Sequence, residues 1–572
     1  MFTLPRLPLA SVALLCGSLV VLPAIKADPI PVGWLGGEAP TTATGVSFGV
    51  PALRGTLSAD TSFTLSAPDG TALPTQTWPL ATWPDGSLKW IGVATVAPAD
   101  TGGEFHLAAS SGAPAETSAA IRITHSDTTT TIDTGPLQMR LPLGGHNTIG
   151  THLIDALVVD GREVARDGRL VALLQDGPDD DLAASPSREL YDTRIDQVTL
   201  EQSGPVRAVV KIEGVHLGIR TRRALLPFVV RLYVYAGSEH IRVVHSFVYD
   251  GDQYRDVIRG LGIRFDVPFR EELQNRHVRF SGQDGGLWDE PVQPMVGRGG
   301  RFSQDPATGN DVYPTQVAGR RVPNRAAYDP RSASWLSDWA SWDAFKLVQS
   351  NADGFTVEKR TNPASAWIAA GAGQRSSGFA FVGDVSGGLG LSVKNFWQSY
   401  PASLEITRAT TDAATLTAWL WSPDGPAMDL RPYDTRGHGL QAAYEDVQPG
   451  HSDPHGIART SELMLFPTAA VPSHRRRPAA PAADARLPPR RPSLRPLGSG
   501  RRLHVGQSHR GETAFPHARF LPDATRATTL VWLLGLRRRH ALLRRRAPRL
   551  ALRPRWHGVG QLRTRDRHVA VV

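Results

Sequence analysis

The densest set of binding-type side chains in this chain is Lys394-Asn395-Phe396-Trp397-Gln398-Ser399-Tyr400, which offers a cation, two amides, an indole and a phenol within seven residues. A cation neutralises an anionic ligand and an aromatic face stacks on a flat ring, so Lys394, Trp397 and Tyr400 are substrate-binding candidates. The alternative is an ordinary strand end with an exposed lysine. A second set, Arg431, Tyr433 and His438, falls in a stretch rich in Gly and Pro, where loops collect function, although Arg431 also suits a structural salt bridge with Asp429. His451, Asp453 and His455 lie close together, but proximity along a loop is a weak metal signal and no metal is assigned. Trp335, Trp339 and Trp342 recur at three- and four-residue spacing, which predicts one side of a short helix, serving either the core or a sugar platform. Glu239 and His240 read as turn decoration, and the catalytic residues stay unassigned.

The elements that must position these groups are strands. After Asp28 short apolar runs alternate with Gly, Pro, Ser and Thr about every ten residues, the pattern of antiparallel β domains. Residues 29–100 read as a small barrel in which Pro84-Asp85-Gly86 turns one strand into the next, because Pro presets φ and Gly accepts a positive one. Residues 101–120 read as a linker, and 118–468 as a large antiparallel β-sandwich. Its clearest hairpin runs from Phe228–Tyr235 through Ala236-Gly237-Ser238-Glu239 to Ile241–Val248. Period two sets Ile241, Val243, His245 and Phe247 on one face, which makes His245 a packing histidine. Further strands are expected at 207–216, 260–267, 354–359, 379–383, 388–393 and 414–421.

Charge separates the chain into two parts. Residues 471–572 hold 24 Arg, no Lys and four acids, a net of +20, whereas residues 1–470 hold 39 bases and 50 acids, a net of −11. The overall +9 therefore implies no nucleic-acid partner for the body of the protein. Residues 1–27, with Arg6 ahead of an apolar run broken by Pro23, read as a signal peptide. That implies a secreted or periplasmic protein with no membrane anchor once the signal is removed. Cys16, the one cysteine, lies inside that segment, which leaves no disulfide or thiolate metal site beyond it.

The tail lacks Lys, Tyr, Asn, Ile and Met, yet carries the apolar run Thr529–Leu536. A basic disordered arm would be expected to mix Lys with Arg and to avoid such a run. Shifting the reading frame by one nucleotide over Leu530–Ala541 permits an aromatic, acidic string of the kind a sugar-binding helical domain uses. The tail reads as a frameshifted remnant of such a domain.

Several motifs carry a resemblance: Trp34-Leu35-Gly36-Gly37, Gly45–Pro51, Gln76–Trp90 with its central Trp83-Pro84-Asp85-Gly86, Ile132-Asp133-Thr134-Gly135, Trp419–Pro423, Met428–Arg431 and Gly456–Glu462. Over about residues 30–470 the chain resembles the exo-rhamnogalacturonan lyase family. That resemblance implies a mainly β protein: a small RIFT-type barrel, then a large β-sandwich, then an α/α toroid, which is here the part missing or out of frame. It also implies cleavage of the rhamnogalacturonan backbone of pectin by β-elimination, with an acidic plant polysaccharide or oligosaccharide as partner. In that reaction the galacturonate carboxylate must be neutralised by Arg, Lys or a cation such as calcium before a base removes the neighbouring proton, and the leaving oxygen needs a proton donor. A body of net −11 would need a local cationic surface to hold such a polyanion. The resemblance makes the toroid the catalytic domain, so with that part missing or out of frame the chain as written is expected to be an inactive lyase-like protein unless the retained domains suffice; a carbohydrate-binding β protein without catalysis is the alternative.

Overall fold

A computed structural model describes residues 28–34, 38–110, 120–142, 152–179, 185–295, 304–431 and 453–472. The signal segment, Tyr433, His438, His451 and the basic tail beyond 472 lie outside the described residues.

Two small antiparallel sheets build the N-terminal barrel. One orders strands Ile30–Gly33, Glu104–Ser110, Ser62–Ser66 and Ala72–Leu73, and the other orders Thr44–Pro51, Leu88–Ala97 and Thr75–Thr82. Alternation explains which faces meet: Val32, Val46, Val50, Phe63, Leu65, Ile91, Val93, Phe105 and Leu107 point inward and are buried together. Gly86 takes φ +83° in the expected turn, where the Gly86 amide donates to the Trp83 carbonyl at 2.9 Å. The stretch read as a linker differs from expectation, because Phe105 and Leu107 alternate inward from Glu104–Ser110 and make it a barrel strand.

The second domain is an antiparallel sandwich. Strand Arg162–Gln175 pairs along most of its length with Val257–Pro268 and, at its C-terminal end, with Arg188–Ser203. From Arg188–Ser203 one sheet continues through Arg207–Gly218, Ala224–Tyr235, Ile241–Val248, Ala458–Thr468, Gly387–Val393, Phe379–Asp384 and Arg276–Ser281. From Val257–Pro268 the facing sheet continues through Ala413–Trp421, Ala402–Thr407, Ala344–Asn351 and Gly354–Arg360. The hydrophobic faces of the two meet in one core that includes Val230, Leu232, Val243, Phe247, Ile263, Phe265, Leu404 and Leu463. All six strands expected from the sequence form, and the 228–248 hairpin pairs in the register Phe228↔Phe247 to Val234↔Ile241.

His245 is buried in this core with its ring stacked on Phe247, as its place on the inward face requires. The Ile132–Gly135 motif braces the hairpin turn: the Thr134 hydroxyl donates to the Ser238 carbonyl, and the Gly237 amide to the Thr134 carbonyl, both at 2.7 Å. The tryptophan triplet departs from expectation. Asp329 caps a helix spanning Pro330–Asp338 that holds Trp335; Trp339 is extended at its end, and Trp342 lies past it with Lys359 4.0 Å from its ring centroid. Among the described residues no helix is long and apolar enough to cross a membrane.

Candidate functional site: a cationic sheet face beside the barrel

The side chains that alternate outward from the first sheet form a face of mostly polar groups, interrupted by Val209 and Val244 and closed at the barrel end by the buried Arg207. Arg207 stands opposite Tyr235, Val209 opposite Tyr233, and Lys211 opposite Arg231. On the next strands Tyr233 is paired with Arg242, Val244 with Glu462, and Ser246 with Thr460. Each outward residue follows an inward core residue, so the hydrophobic period that fixes the core also fixes this face.

Its chemistry is that of guanidinium and ammonium groups held in place by carboxylates and rings. Arg242 Nε donates to Glu462 Oε1 at 2.6 Å, and Lys394 Nζ lies 3.6 Å from Glu462 Oε2. Arg231 makes a two-pronged contact with Glu201 at 2.8 and 3.0 Å, and Lys211 pairs with Glu213 at 2.9 Å. The Tyr233 ring lies between two cations, with Arg242 5.0 Å and Arg207 5.7 Å from its centroid. Arg207 also covers the Trp78 indole of the barrel at 4.4 Å and holds Gln202 Oε1. Five cations thus stand against three carboxylates among these groups, on a body whose net charge is negative. Burial pushes the Tyr233 phenol above its ordinary range, against the pull of Arg242, Arg231 and Arg207. Burial also works to raise the Glu462 carboxyl, but the hydrogen bond and charge of Arg242 together with Lys394 outweigh it, and the group stays below the usual carboxylate range.

The barrel docks at one end of this face. Gln76 Oε1 accepts the backbone amides of Val206 and Arg207 at 3.2 and 2.8 Å, and the Tyr235 hydroxyl reaches Ser47 Oγ at 3.3 Å. Gly45 permits this approach, since a Cβ there would lie 2.1 Å from Tyr235 Cγ. A cleft of about 310 Å³ opens at the junction, bordered by Asp60, Thr77, Trp78, Pro205 and Val206. That volume is at the lower end of small-ligand sites, and domain junctions are where such sites collect.

The candidates read from sequence are distributed differently. Lys394 joins the cationic face through Glu462, whereas Trp397 opens a short 3₁₀ turn and takes Arg375 on its ring at 4.5 Å. Tyr400 follows that turn and precedes Pro401. Arg431 closes on Asp429 through Nε and Nη2 at 3.0 and 2.9 Å. His240, read as turn decoration, packs its ring edge-on against Phe466 at 4.9 Å. Among the described residues no group of three or more His, Cys, Asp and Glu is placed to hold a metal ion.

Sequence reading missed Arg207, Arg231, Tyr233, Arg242 and Glu462. The signal was present in the alternation of the 228–248 hairpin, whose outward half is Arg231, Tyr233 and Arg242, and in the Gly456–Glu462 motif, whose final residue is the carboxylate shared by two cations.

Comparison with known proteins places this architecture. Residues 28–110 match the PcRGLX-like N-terminal RIFT barrel domain, and residues 121–480 match the PcRGLX-like protein central beta sandwich domain. The chain is 34% identical over 445 residues to the uncharacterized protein YetA of Bacillus subtilis (strain 168). That alignment covers 77% of this chain and spans about half, 50%, of the relative's length. Among solved structures, a protein in the glycosyl hydrolase family 38 from Enterococcus faecalis aligns at TM-score 0.37 and 9% identity, covering 78% of this chain and 45% of that one. A galactose mutarotase related enzyme from Lactobacillus acidophilus aligns at TM-score 0.25 and 10% identity, covering 62% of this chain and 99% of that one. Likenesses at that level carry no functional argument.

Proposed function

Because the chain belongs to the rhamnogalacturonan lyase-like family of PcRGLX-like proteins, with that family's RIFT barrel and central β-sandwich, we propose that it is a secreted or periplasmic protein directed at acidic pectin polysaccharide. In this reading the cationic sheet face holds uronate carboxylates. The single observation that supports it is the row of Arg207, Lys211, Arg231, Arg242 and Lys394 around Tyr233 on an otherwise acidic body. Guanidinium forks match carboxylates in two-point geometry, which is what neutralising a uronate requires. Tyr233, a phenol protonated at neutral pH, is the candidate proton donor to the leaving oxygen of a β-elimination. The base, the choice of chain end and any need for calcium belong to the part of the reaction this face does not supply.

A second reading, a carbohydrate-binding protein without catalysis, is favoured by one observation: Arg231, Arg242 and Lys394 already have carboxylate partners in Glu201 and Glu462. The two readings separate on product. Incubation of the full chain with rhamnogalacturonan oligosaccharides should give the ultraviolet-absorbing unsaturated uronate of β-elimination if the protein is a lyase. Binding with no unsaturated product would leave the second reading standing, and neither binding nor product would refute both.

A further inference from the structure

We propose that the outer face of the barrel's three-stranded sheet is a carbohydrate-stacking subsite, in which Trp90 and Leu80 take the C–H face of a pyranose ring. The subsite rests on the reading of the cationic face given above and extends it to a ring of the same acidic oligosaccharide.

Trp90 is 41% exposed and Leu80 54% exposed, and Trp90 stands out on a strand where Leu88, Ile91, Val93, Ala94 and Ala97 are buried. Gly49 makes the floor beneath both. A Cβ on Gly49 would lie 3.5 Å from Leu80 Cδ1 and 3.7 Å from Trp90 Cε3, so both side chains lie across a position that carries none of its own. Gly49 pairs with Gly92 on the next strand, and Gly92 pairs with Trp78. A Cβ on Gly92 would lie 2.2 Å from Trp78 Cε2, so the Trp78 indole lies flat on that glycine. Alternation from Trp78 puts Leu80 on the face it shares with Trp90, and the register shift between Pro79 and Ala81 leaves Leu80 as the extra residue there. Asp85, in the turn that leads into Trp90's strand, pairs at 2.9 Å with Arg54 of the loop after Thr44–Pro51, groups suited to sugar hydroxyls.

Continuity with the cationic face identifies the occupant. Trp78 lies in register beside the Gly92 that adjoins Trp90's strand position, and Arg207 covers Trp78 at 4.4 Å before reaching Tyr233. Trp90 is two residues from Gly92, or roughly 7 Å along the strand, so an oligosaccharide of a few rings spans both. The area argues against a protein partner. Judged on the scale of 150–250 Å² for a whole aromatic side chain, Trp90 and Leu80 together expose on the order of 200 Å², against roughly 800 Å² per partner in a stable interface. An exposed flat indole beside hydroxyl-binding groups fits one sugar face.

The test is isothermal titration of the full chain with a rhamnogalacturonan oligosaccharide, comparing wild type with Trp90→Ala, Trp90→Phe and Arg242→Gln. Trp90→Ala should weaken binding about tenfold and leave its salt dependence unchanged, and Trp90→Phe should restore most of the affinity. Arg242→Gln should weaken binding and flatten its salt dependence. If Trp90→Ala binds as tightly as wild type while Arg242→Gln does not, the subsite is refuted and the cationic face stands. If wild type does not bind, both fall. If sedimentation shows wild type self-associating, Trp90→Ala monomeric and sugar affinity unchanged, the face is a self-contact and the proposal is overturned.

Discussion

Lowering the pH from about 7.5 to about 5 should destabilise this protein through three buried histidines that are not among the side chains of the cationic face. His216, His245 and His277 are buried, and burial drives their pKa values down to about 4, about 3 and about 3 from an ordinary 6.5. His216 is partly rescued by the bond between its Nδ1 and the Leu226 carbonyl, while Arg459 and His216 lower His245 further and Arg279 lowers His277. With the folded pKa depressed, the unfolded chain binds the extra proton first. Stability is therefore complete above pH 6.5 and is lost as pH falls toward the folded values. Each pKa unit is worth about 1.36 kcal/mol, so by about pH 5 each imidazole removes about 2 kcal/mol and the three together about 6. Glu239 and Glu290, raised by burial, titrate in the opposite sense, so the readout is a variant rather than the total slope. Urea unfolding of wild type and His245→Leu at both pH values should show the variant losing about 2 kcal/mol less than wild type across that interval. Equal losses in the two proteins would refute the assignment of His245 as a buried neutral imidazole.

Other substitutions probe the joints and pairs. Glu462→Gln removes the carboxylate shared by Arg242 and Lys394; it should cost about 1–3 kcal/mol in denaturant unfolding while tightening binding of acidic oligosaccharide, and weaker binding would argue that Glu462 itself touches the ligand. Asp289→Asn strips the partner from Arg279, a fully buried guanidinium 3.1 Å away, and should cost about 3–5 kcal/mol as seen by urea titration. Gly45→Val, which would drive a side chain into the Tyr235 ring, should loosen the barrel from the sandwich and make the barrel more sensitive to limited proteolysis while the sandwich stays resistant. The frameshift reading of the tail predicts that source DNA over codons 460–480 differs by one base from the sequence that gives this chain; an identical sequence would retire it.

Local pattern made much of the fold legible. Alternation gave the strands and the hairpin register, and Pro84-Asp85-Gly86 gave a turn whose geometry needs only four residues. What sequence could not supply was sheet order, since Arg162–Gln175 pairs with a strand about ninety residues away and Ile241–Val248 with one more than two hundred away. Part of the cationic face is hidden for the same reason: Glu462 and Lys394 reach Arg242 only after Ile241–Val248 and Gly387–Val393 both pair with Ala458–Thr468. Reading for clusters close in sequence favoured Lys394, Trp397 and Tyr400, and the chain's turn after Val393 sends Lys394 and Trp397 to different partners. The tryptophan spacing misled because Pro330 and Asp329 start a helix that ends at Asp338, before the second tryptophan is reached. Trp90 escaped notice as a site because its motif reads first as a turn and a strand.

The most direct measurement is the affinity of the full chain for an acidic rhamnogalacturonan oligosaccharide as a function of salt, in wild type and in the Arg231→Gln/Arg242→Gln double variant, with a neutral oligosaccharide as control. Binding should prefer the acidic ligand, weaken as salt rises and be largely lost in the double variant. Binding that is equal for neutral and acidic ligands, or untouched by the double substitution, would contradict the assignment of this sheet face as the uronate site.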